Sequence, residues 1–408
     1  MTSPTAIALQ TLPTLPQAFE LNADQRDILV AADRYAQAEL YPLSQRMDDE
    51  EWWPAEAFAQ LGPAGYLGIT IPQVYGGAGL DLLSAGLVAQ AMARWNHAFA
   101  LSWLAHDNLC TFNIYRHANE AQRRRYLPGL CDGSLLGALA LTEPGAGSDA
   151  LGSMRVSARR DGDHYVLNGS KLYITNGPVA DVVLTYAKTA PELGTHGVSA
   201  FIVERSSPGF TVAQKLSKMG FRGSQTGELV FSNCRVPAEN RLGAEHGGLG
   251  IVMSGLDFER ATIAPICLGV AERALQLAIE HAKTRQQFGR PIAEFEMIQA
   301  KIADMYVWIE TMRTFIYRVL AAADGASGDE AGRGTIHALS AASVMYAAES
   351  MAKVVSEAVQ IHGGGGYIWE SEVNRLFRAT KLLEIGAGTT EIRKLIISRE
   401  LLGSSMPL

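Results

Sequence analysis

Cysteine is scarce in this chain of 408 residues, which has four, at Cys110, Cys131, Cys234 and Cys267. They are scattered and form no C-x-x-C motif, so the sequence predicts no disulfide framework and favours a reducing compartment. The nine histidines show no spacing typical of metal ligands. We therefore expect no bound metal.

The chain also lacks an excess of positive charge and any long apolar run. Its 35 Lys and Arg residues and 42 Asp and Glu residues give a net charge of −7, which argues against a general nucleic-acid binder. No window of 18 residues is uninterruptedly apolar, so we expect no membrane span. The first 19 residues carry no charge, unlike secretory signals and transit peptides, so we predict a flexible leader over 1–21 and a cytoplasmic location.

Motifs of the common nucleotide-binding and hydrolytic sites are absent. The sequence contains no P-loop, no H-E-x-x-H and no G-x-S-x-G motif, which removes the usual signals for nucleotide hydrolysis, zinc proteolysis and serine hydrolysis. Gly248-Leu-Gly250 is not preceded by a predicted strand and lacks the third glycine. A Rossmann dinucleotide site is therefore not supported.

Changes in the hydrophobic period divide the chain into three predicted domains, over 1–135, 136–247 and 248–408. The first has helical spacing, and its first helix begins with Asn22 followed three residues later by Gln25, the pattern of a capping box. The second has short β-rich runs between turn dipeptides such as Asn168-Gly169, which favour a small antiparallel sheet or barrel.

Helical spacing returns in the third domain. Eight apolar residues from Phe295 to Val319 follow each other at steps of three and four, which is a heptad seam and needs partner helices against it. The sequence therefore predicts an α+β protein with a helical N-terminal domain, a middle antiparallel β-barrel-like domain and a C-terminal helical bundle.

Four segments are richer in turn and polar residues than packing alone requires. They are Leu139–Asp149, Lys171–Gly177, Arg285–Pro291 and Gln360–Gly366. Their glycines allow close backbone approach to a ligand, and an arginine at a helix end suits a pyrophosphate. Taken singly, they could equally be an interdomain turn, a strand with a core tyrosine, a solvated helix end and a helix cap.

In this order and at these distances, the four segments resemble motifs of the acyl-CoA dehydrogenase family of flavoenzymes. The resemblance covers about residues 22–403 and implies a helical, a β and a four-helix-bundle domain in that order. It also implies a homotetramer with FAD bound across a subunit interface, and electron-transferring flavoprotein as the electron acceptor.

The resemblance also implies the residues that bind FAD. The first two segments would line the isoalloxazine ring, with Tyr173 where the family usually has Trp. The last two would hold the pyrophosphate and adenosine of a neighbouring subunit, and a final loop would complete the flavin site. The implied cofactor residues are Leu139, Leu141, Thr142, Gly147, Ser148, Tyr173, Ile174, Thr175, Arg285, Phe288, Gln360, Ile361, His362, Gly363, Gly364, Thr389, Thr390 and Glu391.

The catalytic base is the point at which this chain departs from most of the family. The base usually precedes the Gly-Thr of the last loop, and that position is Ala387 here. The segment Ser254–Arg260 instead resembles the isovaleryl-CoA dehydrogenase branch, where the matching base is Glu259. By itself Glu259 could be a surface residue of an amphipathic helix; together with Ala387, it is the predicted base.

The resemblance also implies the substrate site. The backbone N–H of Ala387 would polarise the thioester oxygen whatever its side chain is, and Gly386 would widen the pocket for a branched acyl group. The implied substrate-binding residues are Ser148, Asp257, Phe258, Arg260, Gly386, Ala387 and Gly388.

We therefore predict FAD-dependent α,β-dehydrogenation of a short branched acyl-CoA, such as isovaleryl-CoA to 3-methylcrotonyl-CoA in leucine catabolism. Three alternatives remain open: a dehydrogenase for another short or medium acyl-CoA, a flavin oxidase or monooxygenase on the same fold, and a flavin-free helical scaffold.

Overall fold

The computed structural model describes residues 20–325 and 335–403, so residues 1–19 of the predicted leader lie outside the described residues. The first helix begins as the sequence predicts. Asn22 Oδ1 accepts from the Gln25 amide at 2.8 Å, and Gln25 Oε1 accepts from the Asn22 amide at 3.1 Å. This confirms the capping box, which satisfies two backbone donors that the first turn leaves free.

The N-terminal part of the described chain is helical, which confirms the prediction for this region. Two short stretches widen into π-helix, at Ala36–Leu40 and Ala105–Phe112, and no sequence pattern predicted them. The α-helices are α1 (Ala23–Tyr35), α2 (Ser44–Glu50), α3 (Ala55–Ala59), α4 (Leu82–Leu104), α5 (Asn113–His117) and α6 (Glu120–Asp132).

The middle part forms one sheet of eight strands. Pairing follows the order β6-β7-β3-β2-β4-β5-β8, with β1 also paired to β4. The strands are β1 (Gly137–Ala140), β2 (Ser157–Asp161), β3 (His164–Thr175), β4 (Val182–Lys188), β5 (Val198–Glu204), β6 (Phe210–Lys215), β7 (Thr226–Pro237) and β8 (Arg241–Leu242).

The prediction of a purely antiparallel sheet is wrong in one respect. Most neighbours are antiparallel, but β1 and β2 both pair with β4 in parallel. Parallel pairing needs a long crossover, and the chain between β1 and β4 is long enough because it first builds the β2 and β3 hairpin. The closely spaced turns predicted the hairpins correctly but carried no information on this longer connection.

The C-terminal part is a helical bundle after a small hairpin, β9 (Gln286–Gln287) and β10 (Arg290–Pro291). Its third long helix, α9 (Thr335–His362), ends at a run of glycines, and Gly363 has φ +60°. The helices are α7 (Gly248–Thr284), α8 (Glu296–Asp324), α9 (Thr335–His362), α10 (Gly364–Tyr367), α11 (Glu372–Ile385) and α12 (Thr390–Leu402).

The heptad seam and the length of α7 are both explained by burial. On α8 the seam residues Met305, Ile309 and Met312 are fully or almost fully buried against the neighbouring helices, which confirms the predicted bundle. By length and composition α7 could cross a membrane, but 72% of its most apolar window is buried inside the fold. A core helix accounts for that hydrophobicity.

One large core joins the two helical regions, because α4 and α7 pack side by side and α8 and α9 cover them. A second core lies where α5, α6 and the start of α7 meet β1, β4 and β5. The candidate site lies at this second junction, where helix and sheet residues face each other. The exact domain boundaries remain predictions.

Candidate active site

A narrow cleft at the junction of sheet and helices contains the predicted base. Glu259 is the one carboxylate in the lining of this cleft. Apolar side chains from three elements surround that carboxylate. The lining residues are Leu109, Asn113, Leu139, Leu141, Tyr186, Val252, Gly255, Leu256 and Glu259. The cleft therefore brings Glu259 together with Leu139 and Leu141, two of the predicted flavin contacts.

Local backbone features place these side chains in the cleft. Val252, Gly255, Leu256 and Glu259 lie at helical spacing and form one face of α7. Leu109 lies within the π-helical stretch Ala105–Phe112 and Asn113 follows it directly, and single π turns are frequent at functional sites.

Burial makes Glu259 a good proton acceptor at neutral pH. Desolvation raises the pKa of its carboxyl to about 7, against the lowering effects of Arg260 and Arg393. Desolvation prevails because the carboxylate loses more stabilisation by leaving water than it gains from the two nearby arginines. A general base is most effective when its pKa lies near the working pH.

The raised pKa of Glu259 predicts how activity depends on pH. The base works only when ionised, so kcat/KM should rise about tenfold per pH unit below pH 7 and level off above it. Stopped-flow measurement of flavin reduction between pH 5.5 and 9 checks this. A limb with a midpoint near 4.5, the ordinary value for Glu, would contradict the desolvated site.

Two buried arginines hold the loop predicted to bind the thioester. Ala387 has φ +57°, which is strained for a residue with a side chain, and Gly388 has φ +91°. Arg260 Nε donates to the Ala387 carbonyl at 3.2 Å, and Arg393 donates to the Gly386 carbonyl. Both arginines also act on the pKa of Glu259, so the loop and the base share one electrostatic environment.

Behind this loop lies an ionic network that the sequence did not predict as such. Asp257 Oδ1 accepts from Arg260 Nη1 at 3.1 Å and lies 2.6 Å from His337 Nδ1. All three side chains are buried. Asp257 therefore orients Arg260. It is not among the residues that line the cleft around Glu259.

Phe258 points to a second cleft rather than to the one around Glu259. Its ring packs edge-on against Phe112, with 5.3 Å between centroids, and under the Arg116 guanidinium. Trp103 belongs to the same hydrophobic core as Phe258. It is buried, and its indole N–H donates to the Tyr66 carbonyl at 2.6 Å.

The first predicted flavin segment is tied to β3 by a buried ion pair. Lys171 Nζ donates to the Leu141 carbonyl at 2.8 Å and to Glu143 Oε1 at 2.9 Å. The Leu172 amide donates to the Thr142 carbonyl at 2.9 Å. Glu143 is buried as well, and such a pair, with its hydrogen bonds satisfied, fixes one conformation of the loop.

A bulge in β3 presents Tyr173 at the surface. The pairing of β3 with β7 shifts between Lys171 and Ile174, and Tyr173 takes φ +62° there. Its side chain is 65% exposed, while Ile174 is buried and Thr175 is partly buried. Gly147 and Ser148 are exposed on the tied loop. An exposed aromatic face beside exposed backbone groups fits a planar cofactor ring.

The other predicted cofactor residues form a separate group at the far end of α7. Arg285 and Phe288 are exposed there, Phe288 at 93%. The rings of His281 and His362 stack at 4.3 Å, which brings the end of α9, with Gln360, Ile361, Gly363 and Gly364, beside Arg285. Ile361 is buried, and the two glycines are open to solvent.

The two groups cannot bind the same cofactor molecule within one chain. Arg285 directly follows α7 and lies 26 residues after Glu259, which corresponds to about 39 Å along a helix and exceeds the length of a dinucleotide. If both groups contact FAD, the two groups must come from different subunits. Binding of FAD across a subunit interface stays a prediction.

Thr389, Thr390 and Glu391 begin α12, next to the loop of Ala387. Thr389 caps the helix by accepting from the Ile392 amide at 3.4 Å, and Glu391 is exposed. These three residues directly follow Gly388 in the chain, which is compatible with the predicted contact between the final loop and the flavin.

Sequence reasoning missed three buried polar groups around the site: the Glu143–Lys171 pair, His337, and the cleft residues Asn113 and Tyr186. Glu143 and Lys171 are 28 residues apart and His337 lies 80 residues from Asp257, while Asn113 and Tyr186 reach the cleft from separate elements, so no spacing indicates them. Within residues 20–325 and 335–403, no group of three or more His, Cys, Asp or Glu side chains could hold a metal ion.

Comparison with known proteins assigns this arrangement to a family. Profiles of the N-terminal, middle and C-terminal domains of acyl-CoA dehydrogenases match residues 22–134, 138–234 and 246–402. The mitochondrial isovaleryl-CoA dehydrogenase of Pongo abelii is 43% identical over 384 residues, which cover 93% of this chain and 89% of that protein.

Solved structures agree with the sequence comparison. Butyryl-CoA dehydrogenase from Megasphaera elsdenii superposes with a TM-score of 0.90 at 37% identity, covering 95% of this chain and 100% of that chain. A chain described with the electron transferring flavoprotein of Acidaminococcus fermentans gives a TM-score of 0.91 at 36% identity, with the same coverage. The chain belongs to the acyl-CoA dehydrogenase family, whose members are flavin-dependent oxidoreductases.

Proposed function

We propose that this acyl-CoA dehydrogenase oxidises a short branched-chain acyl-CoA, best represented by isovaleryl-CoA, to its 2,3-enoyl thioester with FAD as cofactor. The observation that carries the proposal is the place of Glu259 in the cleft, combined with a methyl group at position 387. This is the arrangement of the isovaleryl-CoA dehydrogenase branch, and the relative named for that substrate supports it.

The residues of this chain would divide the reaction between them. Glu259 would take the proton from the carbon next to the thioester carbonyl, and the Ala387 amide would donate to the carbonyl oxygen as negative charge develops there. Arg260 and Arg393 would keep the Ala387 loop in its strained conformation. When bound, FAD would supply the acceptor for the hydride from the neighbouring carbon.

The preference for a short branched acyl group rests on Glu259 as the predicted base and on the glycine at position 386. Gly386 adds no side chain beside the Ala387 loop. The similarity to butyryl-CoA dehydrogenase favours a straight short chain as the second candidate.

A panel of acyl-CoAs tests the proposal. Purified enzyme should be yellow, and under anaerobic conditions isovaleryl-CoA should bleach the flavin at a higher kcat/KM than butyryl-CoA or octanoyl-CoA. A faster reaction with butyryl-CoA would identify a straight-chain enzyme. Rapid oxygen consumption by the reduced enzyme would indicate an oxidase, and colourless protein that does not bind FAD would indicate a scaffold.

The relationship to the family also supports proposals about partners. We propose that electron-transferring flavoprotein accepts the electrons, in line with the flavoprotein named for one structural relative. We further propose a homotetramer, because the two cofactor groups are too far apart to act within one chain. Leucine catabolism and a cytoplasmic location complete the proposal and would be tested by gene deletion and fractionation.

A further inference from the structure

His337 is a buried histidine behind the Ala387 loop, and it is not among the residues that line the cleft around Glu259. Its Nδ1 atom lies 2.6 Å from Asp257 Oδ1. A carboxylate paired with a guanidinium can only accept, so His337 Nδ1 carries the proton and donates the hydrogen bond. His337 thereby joins α9 to α7 across 80 residues of chain.

The Asp257 carboxylate is held through one of its two oxygens. Oδ1 accepts from His337 Nδ1 and from Arg260 Nη1, the latter at 3.1 Å. Oδ2 is buried and accepts no hydrogen bond from the described residues. A carboxylate held by one donor can turn about that single bond, whereas two donors from different directions define its position. His337 is therefore the second donor that fixes Asp257.

Asp257 in turn aligns Arg260 with the Ala387 loop. Arg260 donates through Nη1 to Asp257 and through Nε to the Ala387 carbonyl, at 3.2 Å. The guanidinium is planar and rigid, so fixing Nη1 also fixes the direction in which Nε donates. A turn of the Asp257 carboxylate would therefore move the bond to Ala387 as well.

Ala387 needs this support because of its backbone conformation. Its φ of +57° is kept by a residue with a side chain only where the surrounding contacts over-determine it. Arg393 holds the peptide before Ala387 at the Gly386 carbonyl, and Arg260 holds the peptide after it at the Ala387 carbonyl. Because each peptide is planar, the two bonds together fix the turn that aims the Ala387 N–H.

We propose that His337 is a positioning residue for the reaction of Glu259. His337 fixes Asp257, Asp257 aligns Arg260, and Arg260 holds the Ala387 loop so that its N–H meets the thioester oxygen. This inference rests on the proposed function, because it presumes that the Ala387 N–H polarises a thioester.

Three replacements of His337 separate its hydrogen bond from its volume. Asn places its amide nitrogen where Nδ1 stands and can still donate to Asp257, whereas Gln places it nearer the position of Nε2, and Leu has no donor. His337→Leu and His337→Gln should lower kcat for flavin reduction by isovaleryl-CoA about tenfold with little change in KM, while His337→Asn keeps most of kcat.

A purely structural role predicts a different order of these variants. Asn fills less of the buried site than Leu, so packing alone would make His337→Asn the more damaged enzyme. Stopped-flow kinetics and thermal unfolding, measured on the same preparations, separate the two accounts. If His337→Leu does not fold, His337→Gln carries the same comparison with His337→Asn.

Hydrogen exchange measures the positioning of the loop without any reaction. The Gly386 amide donates to the Leu382 carbonyl at 2.8 Å, so a peptide over residues 382–392 reports on the base of the loop. In the FAD-loaded enzyme without acyl-CoA, His337→Leu and His337→Gln should exchange this peptide about tenfold faster than the parent, the effect of roughly one lost hydrogen bond. His337→Asn should exchange it at the parental rate.

A second buried histidine supplies the matched control. His97 lies on α4, and its ring packs edge-on against Phe221 rather than against the Asp257 network. His97→Leu should leave the exchange of residues 382–392 unchanged even where it lowers the thermal stability.

The possible results separate this inference from the proposed function. Equal kcat and equal loop exchange in His337→Leu and His337→Asn would overturn the positioning role, and so would losses of kcat that follow thermal stability across the variants. Faster loop exchange in His337→Leu and His337→Gln alone, without flavin reduction by any acyl-CoA in the unaltered enzyme, would retain His337 as the residue that holds the loop and overturn the dehydrogenase reaction.

Discussion

Replacing the carboxyl of Glu259 by an amide, in Glu259→Gln, should lower kcat for flavin reduction roughly a thousandfold or more. General-base catalysis contributes about 10²- to 10⁴-fold, and Ala387 provides no second carboxylate in this chain. Gln has nearly the same shape as Glu, so the cleft should stay intact. Anaerobic stopped-flow reduction by isovaleryl-CoA, with FAD content measured in parallel, checks the effect.

The stability of this variant provides an internal control. The folded state raises the pKa of Glu259 to about 7 from an ordinary 4.5, so ionisation of the buried carboxyl destabilises the fold. That penalty is fully present above pH 7 and disappears below about pH 4.5. Glu259→Gln should therefore be at least as stable as the parent at pH 8.

A second glutamate on the same helix supplies the matched comparison. Glu280 is exposed on α7, and the one hydrogen bond that its carboxylate accepts within the described chain comes from Gln276. Glu280→Gln should retain full activity. Substantial turnover in Glu259→Gln, with FAD bound, would show that another group removes the proton.

Removing the guanidinium of Arg260, in Arg260→Met, should lower kcat about a hundredfold while changing KM much less. Arg260 Nε holds the Ala387 carbonyl, and the loss of one aligned donor to a developing oxyanion costs about 10²- to 10³-fold. The variant should also move the pH profile upward, because Arg260 lowers the pKa of Glu259. Both kcat and the midpoint of the acidic limb are measured by stopped flow.

The matched control breaks a buried ion pair elsewhere on α7. Arg273 pairs with Glu372 through Nη2 at 2.8 Å, away from the loop of Ala387. Loss of either arginine breaks an ion pair and should destabilise the fold. In both cases the carboxylate keeps a second partner, His337 for Asp257 and Tyr41 for Glu372. Arg273→Met should therefore cost stability without shifting the pH profile. An Arg260→Met enzyme with unchanged kcat and an unshifted profile would assign Arg260 a purely structural role.

Local signals in the sequence predicted the elements well wherever neighbouring residues decide them. The capping box at Asn22, the seam on α8 and the helix end at Gly363 all depend on residues within a few positions. The strands β1, β2 and β6 lacked such signals, because their alternation is short or interrupted. The π-helical stretch before Asn113 had none, since it depends on packing against β1.

The sequence by itself determined the family, through motifs that lie close together along the chain. It also predicts Glu259 as the base, because a carboxylate at 259 and a methyl at 387 can be recognised without coordinates. The tertiary structure alone decided which buried groups support that base. Asn113 and Tyr186 come close to Glu259 only when the sheet packs on α7. Lys171 meets Glu143 only when β3 lies beside the loop after β1, and His337 meets Asp257 only when α9 packs on α7. Periodicity cannot reveal them, because hydrogen bonding and desolvation depend on distances in space rather than on separation along the chain.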